Sequence, residues 1–163
     1  MLDLAPIRAT ITLTTNARRA AVWQALEHVA RWPQVLTDLS EATIAPEGPL
    51  ASGAVITTRA LPGHNVIDMT YQVLAAEPLH RLVLASSARG FRAQTEYVLE
   101  DIGGETEVSL TAEVSAERLL GRLSAALWRD QHARHVAASL RRRGQAMLTL
   151  AETLATSVSI TRP

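Results

Sequence analysis

Between residues 39 and 114 the side chains keep alternating between apolar and polar, and that period of two constrains the fold more than any other feature of the chain. The stretch "VIDMTYQVLAAE" sets Ile67, Met69, Tyr71 and Val73 against Asp68, Thr70 and Gln72. "FRAQTEYVLED" sets Phe91, Ala93, Thr95, Tyr97 and Leu99 against Arg92, Gln94, Glu96, Val98 and Glu100. "TEVSLTAEV" gathers Val108, Leu110, Ala112 and Val114 on one side. Alternation of this kind marks strands with one buried face. "EATIAP", "AVITTRAL" and "LVLASS" complete six candidates, separated by "EGPLASG", "PGHN", "PLHR" and "IGGE". Those breaks are short and rich in Gly and Pro, so consecutive strands should pair antiparallel. Each strand then has an apolar face that must be covered.

The cover lies on either side of this block. Upstream, "IRATITLTT" is another alternating strand, with Ile7, Ala9, Ile11 and Leu13 opposing Arg8, Thr10, Thr12 and Thr14. Asn16 stands where an N-cap belongs, ahead of "ARRAAVWQALEHV", in which Ala21, Val22, Ala25, Leu26 and Val29 share a helical stripe. Pro33 should end that regularity, leaving "WPQVLTDL" as a second short turn of helix or a loop. The two Trp residues here, Trp23 and Trp32, are placed to seal one end of the core. Downstream, the segment from Ser115 to about Ala155 reads as one long helix. Leu119, Leu123, Ala126, Ala133, Val136, Ala137, Leu140, Met147, Leu150 and Leu154 recur at steps of three and four. Glu117 in its first turn would suit the helix dipole. The polar "WRDQHARH" and Gly144 are the places for a kink, and "TSVSITRP" reads as a frayed tail. The expected architecture is α+β: a curved antiparallel sheet of about seven strands around a long C-terminal helix, with two short helices between strands one and two. A single domain fills 1–163, its core at about 7–155, without internal repeats.

Composition narrows the function. Sixteen basic and sixteen acidic residues balance to zero formal charge, which argues against a nucleic-acid partner. All the basic residues are Arg, which together with abundant Ala suggests GC-rich, bacterial coding. The absence of Cys rules out disulfides, thiolate nucleophiles and thiolate-bound metal. "MLDLAPIRAT" has no basic or apolar leader character, and no apolar run is long enough to cross a bilayer, so a cytoplasmic location is expected. There is no phosphate-binding glycine loop and no G-x-S-x-G elbow.

Several phrases, in order, resemble the START-like superfamily of polyketide cyclases/dehydrases and lipid-transport proteins. "VWQALEHVARWPQVL" resembles its "VW..L.D...WP.W" signature, although Leu36 stands where a second Trp is common. "PLASGAVI" resembles its "l..G..v" segment, and "YVLEDIGGETEVSLTAEV" its "ggT" hairpin, with Thr106 after the turn. "AASLRRRGQAMLTLAE" is similar to its closing helix. The resemblance spans roughly residues 7–155 and implies a helix-grip fold with a deep pocket between sheet and helix. It implies binding of a hydrophobic or aromatic small molecule, lipid or polyketide-like. The alternative is a polyketide cyclase or dehydratase that holds a poly-keto chain so an enolate meets a carbonyl. No cofactor is implied.

A largely apolar pocket needs a few inward polar groups to orient its ligand. If the apolar strand faces point inward, Tyr71, Thr95 and Tyr97 point inward with them. Arg59 shares a face with Val55 and Thr57 and could meet a carboxylate or enolate; an exposed sheet Arg is the plainer reading. Met69 and Leu123 would line the wall. His132 and His135 are three apart on one helix face, a spacing that lacks a third metal ligand, so no metal site is expected. His28 and His64 read as solvated, and Arg141, Arg142 and Arg143 as a solvated charge run. A homodimer through an exposed sheet edge is compatible with the pattern.

Overall fold

A computed structural model describes residues 5–64, 66–117 and 129–160, with side chains as far as residue 157. The first strand, β1 (Ile7–Thr15), leads into α1 (Arg19–Glu27) and a 3₁₀ turn (Val29–Gln34). Six strands follow: β2 (Leu39–Ala45), β3 (Val55–Ala60), β4 (Met69–Glu77), β5 (Arg81–Ala88), β6 (Phe91–Ile102) and β7 (Glu105–Ala116). A long helix, α2 (Arg129–Ile160), closes the described chain.

The described strands form one seven-stranded sheet in the order β1-β7-β6-β5-β4-β3-β2. Every neighbouring pair is antiparallel. The meander therefore runs from β2 at one edge to β7, and β1 joins β7 to form the other edge. The β6–β7 hairpin turns on Gly103 and Gly104, both at positive φ. A two-residue hairpin whose twist matches the flanking strands needs positive φ at both positions, where Gly carries no steric penalty.

The inner face carries the alternating apolar side chains. Ile56, Val73, Leu82, Leu99 and Leu110 are each at most 1% exposed. On β5, Leu82, Val83 and Leu84 are buried in succession, next to a register shift between Val73 and Ala75 of β4. The helices cap this face: α1 buries Val22, Trp23, Ala25 and Leu26, and the 3₁₀ turn buries Val29 and Trp32. The Trp32 indole donates to the Ala25 carbonyl at 3.2 Å, so its one polar atom is satisfied inside the core. Thr106 is fully buried and donates to the Ala17 carbonyl at 2.8 Å, tying the start of α1 to β7. The Thr after the glycine turn thus works as a fastener between layers.

Three local expectations are corrected. Asn16 is not the cap of α1; Arg18 holds that position without a side-chain cap bond, and Ala17 N–H is taken by Thr15 Oγ1 at 3.1 Å. Pro33 lies inside the 3₁₀ turn instead of ending it, because the looser hydrogen-bond demand of so short a turn leaves room for the missing donor. Ser115 belongs to β7, paired with Arg92, and Glu117 receives the Arg92 Nε at 2.7 Å in place of serving a helix dipole. The rest of the expected first part of the long helix, residues 118–128, lies outside the described residues.

From Arg129 the helix runs unbroken through "RDQHARH" and through Gly144. Gly144 is where α2 approaches the sheet closely. A Cβ built there would stand 2.6 Å from Leu13 Cδ1 and 3.3 Å from Leu110 Cδ1. Leu140, Met147, Leu150, Ala151 and Leu154 are buried along the same helix. The residue that looked like a weak point in the helix is a close-packed position: a side chain there would have to displace Leu13 between helix and β1/β7.

This sets a conflict of known sizes. Alanine would gain about 1 kcal/mol of helix propensity over glycine, whereas overpacking a core costs about 1–3 kcal/mol. The half-buried Leu13 tip can shift, but Leu110 is 0% exposed, so the clash should win for a side chain larger than alanine. Gly144→Val should lower unfolding stability by roughly 2 kcal/mol and Gly144→Ala by less, as read from denaturant midpoints. A stabilising Gly144→Ala would show that the helix can lift off without cost.

Candidate functional site

Polar side chains converge on the inner face where β4, β5 and β6 meet α2. Met69 and Tyr71 point inward from alternate positions of β4, and Tyr97 does so from β6. Leu84 of β5 sits between them: Val73 pairs with Leu84, which pairs with Thr95, and Leu82 pairs with Tyr97. Arg143 and Met147, one helical turn apart on α2, come down from above. Trp32, Leu36, Asp38 and Leu39 close one side.

These groups surround a cavity of about 40 Å³. That is room for about three water molecules, taking roughly 10–15 Å³ for each. Its residues Leu36, Asp38 and Val66 also border a wider surface cleft of about 360 Å³, which His64, Arg142 and Ala146 help to line. Inner cavity and outer cleft thus share a wall. Much of what fills the inner space is the long side chains of Met69, Met147 and Arg143, which have many rotamers. The outer face of the sheet has its own concavity of about 560 Å³, but that one is lined by outward positions such as Thr70, Gln72, Arg92 and Gln94.

Electrostatics single out Arg143. Its Nη1 donates to the Tyr71 hydroxyl at 3.0 Å, and its guanidinium carbon lies 5.9 Å from the Tyr71 ring centroid. Burial pulls its proton affinity down, but Tyr71, Tyr97 and Asp38 outweigh burial and the net displacement is upward, so the group stays a cation. Tyr97 is 8% exposed, and burial pushes its phenol above the usual 10.0; the Arg143 charge opposes this and Tyr71 adds to it. Among the described residues no protein group hydrogen-bonds the Tyr97 hydroxyl.

Of the residues singled out in the sequence, Met69, Tyr71 and Tyr97 are brought together here. Thr95 lies on the Tyr97 side of β6, half-buried, but does not border the cavity. Arg59 does not reach the pocket and follows the plainer reading, an exposed sheet Arg: it is on the outer face, its side chain 68% exposed and 3.4 Å from Glu41. The inward residues of β3 are Ile56 and Thr58, so the phase of that strand is opposite to the one a pocket Arg59 requires. Leu123 falls outside the described residues. His132 and His135 are exposed on α2, and among the described residues no group of three metal-binding side chains occurs. His28 Nδ1 is 2.7 Å from the Gln24 carbonyl at the end of α1.

The residue that sequence reading passed over is Arg143. In "LRRRG" it was one of three adjacent charges, yet Arg141 and Arg142 are exposed and Arg143 is not. Its helical phase was the available signal. It lies three residues after Leu140 and four before Met147, both buried members of the apolar stripe.

Residues 6–147 match the family of polyketide cyclases / dehydrases and lipid-transport proteins, and the chain belongs to that family. The crystal structure of Ara h 8.0201 superposes with a TM-score of 0.71 at 12% identity, covering 90% of this chain and 97% of that one. The di-domain ARO/CYC StfQ from the steffimycin biosynthetic pathway gives 0.74 at 10% identity and covers 98% of this chain, which spans 54% of that protein. Truncated norcoclaurine synthase from Thalictrum flavum gives 0.67 at 11% identity, covering 90% and 94% of the two chains. At such identities the likeness establishes the helix-grip fold. No curated protein matches the chain in sequence. No helix among the described residues is long and apolar enough to cross a membrane.

The raised Tyr97 phenol yields a pH prediction. The unfolded chain releases that proton near 10.0 while the folded chain holds it, so stability from the buried neutral phenol is intact below that pH and is lost as pH climbs through the native value. Ultraviolet titration of the folded protein should therefore show a phenol that ionises late, and Tyr97→Phe should remove that phase. A titration unaffected by Tyr97→Phe would place the phenol in contact with water.

Proposed function

We propose that this protein binds a hydrophobic or aromatic small molecule between the sheet and α2, with the polar end of the ligand on Tyr71 and Tyr97. The observation that carries this reading is a small cluster of hydroxyl and guanidinium donors in a cavity whose other lining, apart from Asp38 and Thr58, is apolar. Such a lining is the usual composition of a small-molecule site: apolar walls for affinity and few polar groups for orientation. A bicyclic ligand is larger than the 40 Å³ cavity, so it would push Met69, Met147 and Arg143 aside and extend into the adjoining cleft. Met side chains repack at little cost, which supports an expandable site over a fixed one. Burying about 200 Å² of apolar ligand surface at roughly 25 cal/mol per Å² gives about 5 kcal/mol before association costs.

A second reading, a cyclase or dehydratase, draws support from the Arg143–Tyr71 contact. Because Tyr71 accepts from Arg143, its own proton remains free to be donated into the cavity. A cation and a phenol at one spot are what a developing enolate needs, while Asp38 is the carboxylate bordering the cavity that could take a proton.

Titration with the neutral fluorophore N-phenyl-1-naphthylamine tests the first reading. Saturable enhancement with a micromolar constant is expected, and Met69→Trp, which fills the cavity, should abolish it. Tyr97→Phe should weaken binding of a ketone-bearing analogue by about tenfold or less with little loss of stability. No saturable binding in the wild type, or binding untouched by Met69→Trp, would remove the cavity from consideration. Turnover of a poly-keto thioester lost in Tyr71→Phe would favour the enzyme.

A further inference from the structure

The described ion pairs show an imbalance. Arg19–Asp101, Arg59–Glu41, Arg81–Glu77, Arg81–Glu96 and Arg92–Glu117 all involve solvent-exposed side chains, where a pair contributes little. Arg143, half-buried at the wall of the cavity, has no carboxylate within 4.0 Å among the described residues. Asp38 borders the same cavity but does not reach it as an ion pair. A guanidinium has five N–H donors in a planar fork, and Arg143 is seen to use one of them, on the neutral Tyr71. Desolvating a cation is costly unless it is paired, and a neutral phenol supplies only part of the compensation.

Two further donors face the same space. Tyr71 accepts from Arg143 and so retains its own proton for another acceptor. Tyr97 is buried at the cavity wall with no protein hydrogen-bond partner among the described residues. Around the outer cleft, Arg142 adds a cation against Asp38. The inner end is therefore a set of donors around one positive charge.

We infer that the ligand of this cavity is a carboxylic acid in its ionised form, an apolar or aromatic carboxylate whose two oxygens take the free fork of Arg143. The inference rests on the cavity reading above and adds the ligand's charge. A carboxylate matches the guanidinium plane in bidentate geometry, and charge-assisted hydrogen bonds are roughly twice as strong as neutral ones. Tyr97 would donate to one carboxylate oxygen, while the apolar body lies along Met69, Met147 and Leu36. The ligand then supplies the counter-charge that the chain itself does not.

The probe pair is 2-naphthoic acid and its neutral methyl ester, measured by fluorescence titration against the full chain at pH 7.5. The acid should bind about tenfold or more tighter than the ester. Arg143→Met should erase that preference by weakening the acid at least tenfold more than the ester. Arg143→Lys, which keeps the charge but loses the fork, should restore part of it. The comparison of acid and ester on the wild type needs no variant, so a misfolded Arg143→Met would not blunt the test. Equal binding of acid and ester, or an acid preference that survives Arg143→Met, overturns the carboxylate and leaves the cavity standing. Binding of neither compound, together with no binding of N-phenyl-1-naphthylamine, overturns the cavity and the carboxylate with it.

Discussion

An antiparallel sheet with one apolar face has to bury that face, and here one helix does most of the covering. The contact at Gly144 fixes how far α2 stands from β1 and β7, since Leu13 and Leu110 reach the helix backbone itself. That distance decides what happens further along the sheet. Where the helix is tight against β1 and β7, the core is closed. Across β4, β5 and β6 the helix reaches the sheet only through long side chains, and the 40 Å³ cavity opens there. Core and cavity are one apolar surface under one helix, separated by how close the backbone comes.

The same geometry explains why the cavity is small. An empty cavity destabilises its host by about 24 cal/mol per Å³, so an unfilled space of 300 Å³ would cost roughly 7 kcal/mol. That is comparable with the whole stability of an ordinary domain, about 5–15 kcal/mol. Movable side chains that fill the space avoid most of that cost. Met69, Met147 and Arg143 suit that role, whereas Trp32 and Leu84 define the fixed boundary.

How much of this could be read from the sequence depended on which periodicity carried the information. Each strand was legible where one face was uniformly apolar, as in Val108, Leu110 and Ala112 of β7. The face of Arg59 was not legible because β3 offers no such contrast: Val55, Thr57 and Arg59 oppose Ile56 and Thr58, and a shift of one residue exchanges the faces. Arg143 was missed for the complementary reason. Three consecutive arginines look solvated by composition, and only the helical phase relative to Leu140 and Met147 separates one from its neighbours. The boundary at Ser115 was misjudged because the strand continues into residues without a Gly or Pro stop, and β6 supplies the pairing that holds them extended. Tertiary hydrogen bonds, not local propensity, set that boundary.

A half-buried cation raises the question of what stability it costs. Here the cost is lowered without being removed: Tyr71 takes one hydrogen bond, its ring faces the guanidinium at 5.9 Å, and Asp38 favours the charge from a distance. A neutral side chain of equal length would pack as well and avoid the desolvation, so stability gives no reason for Arg143 at this position. The same is true of Tyr97, whose hydroxyl could be omitted from an apolar wall. Two groups that the fold does not need, facing one cavity, point to a requirement set by what enters that cavity. The tight contact at Gly144 serves the fold; the polar cluster one helical face away serves the guest.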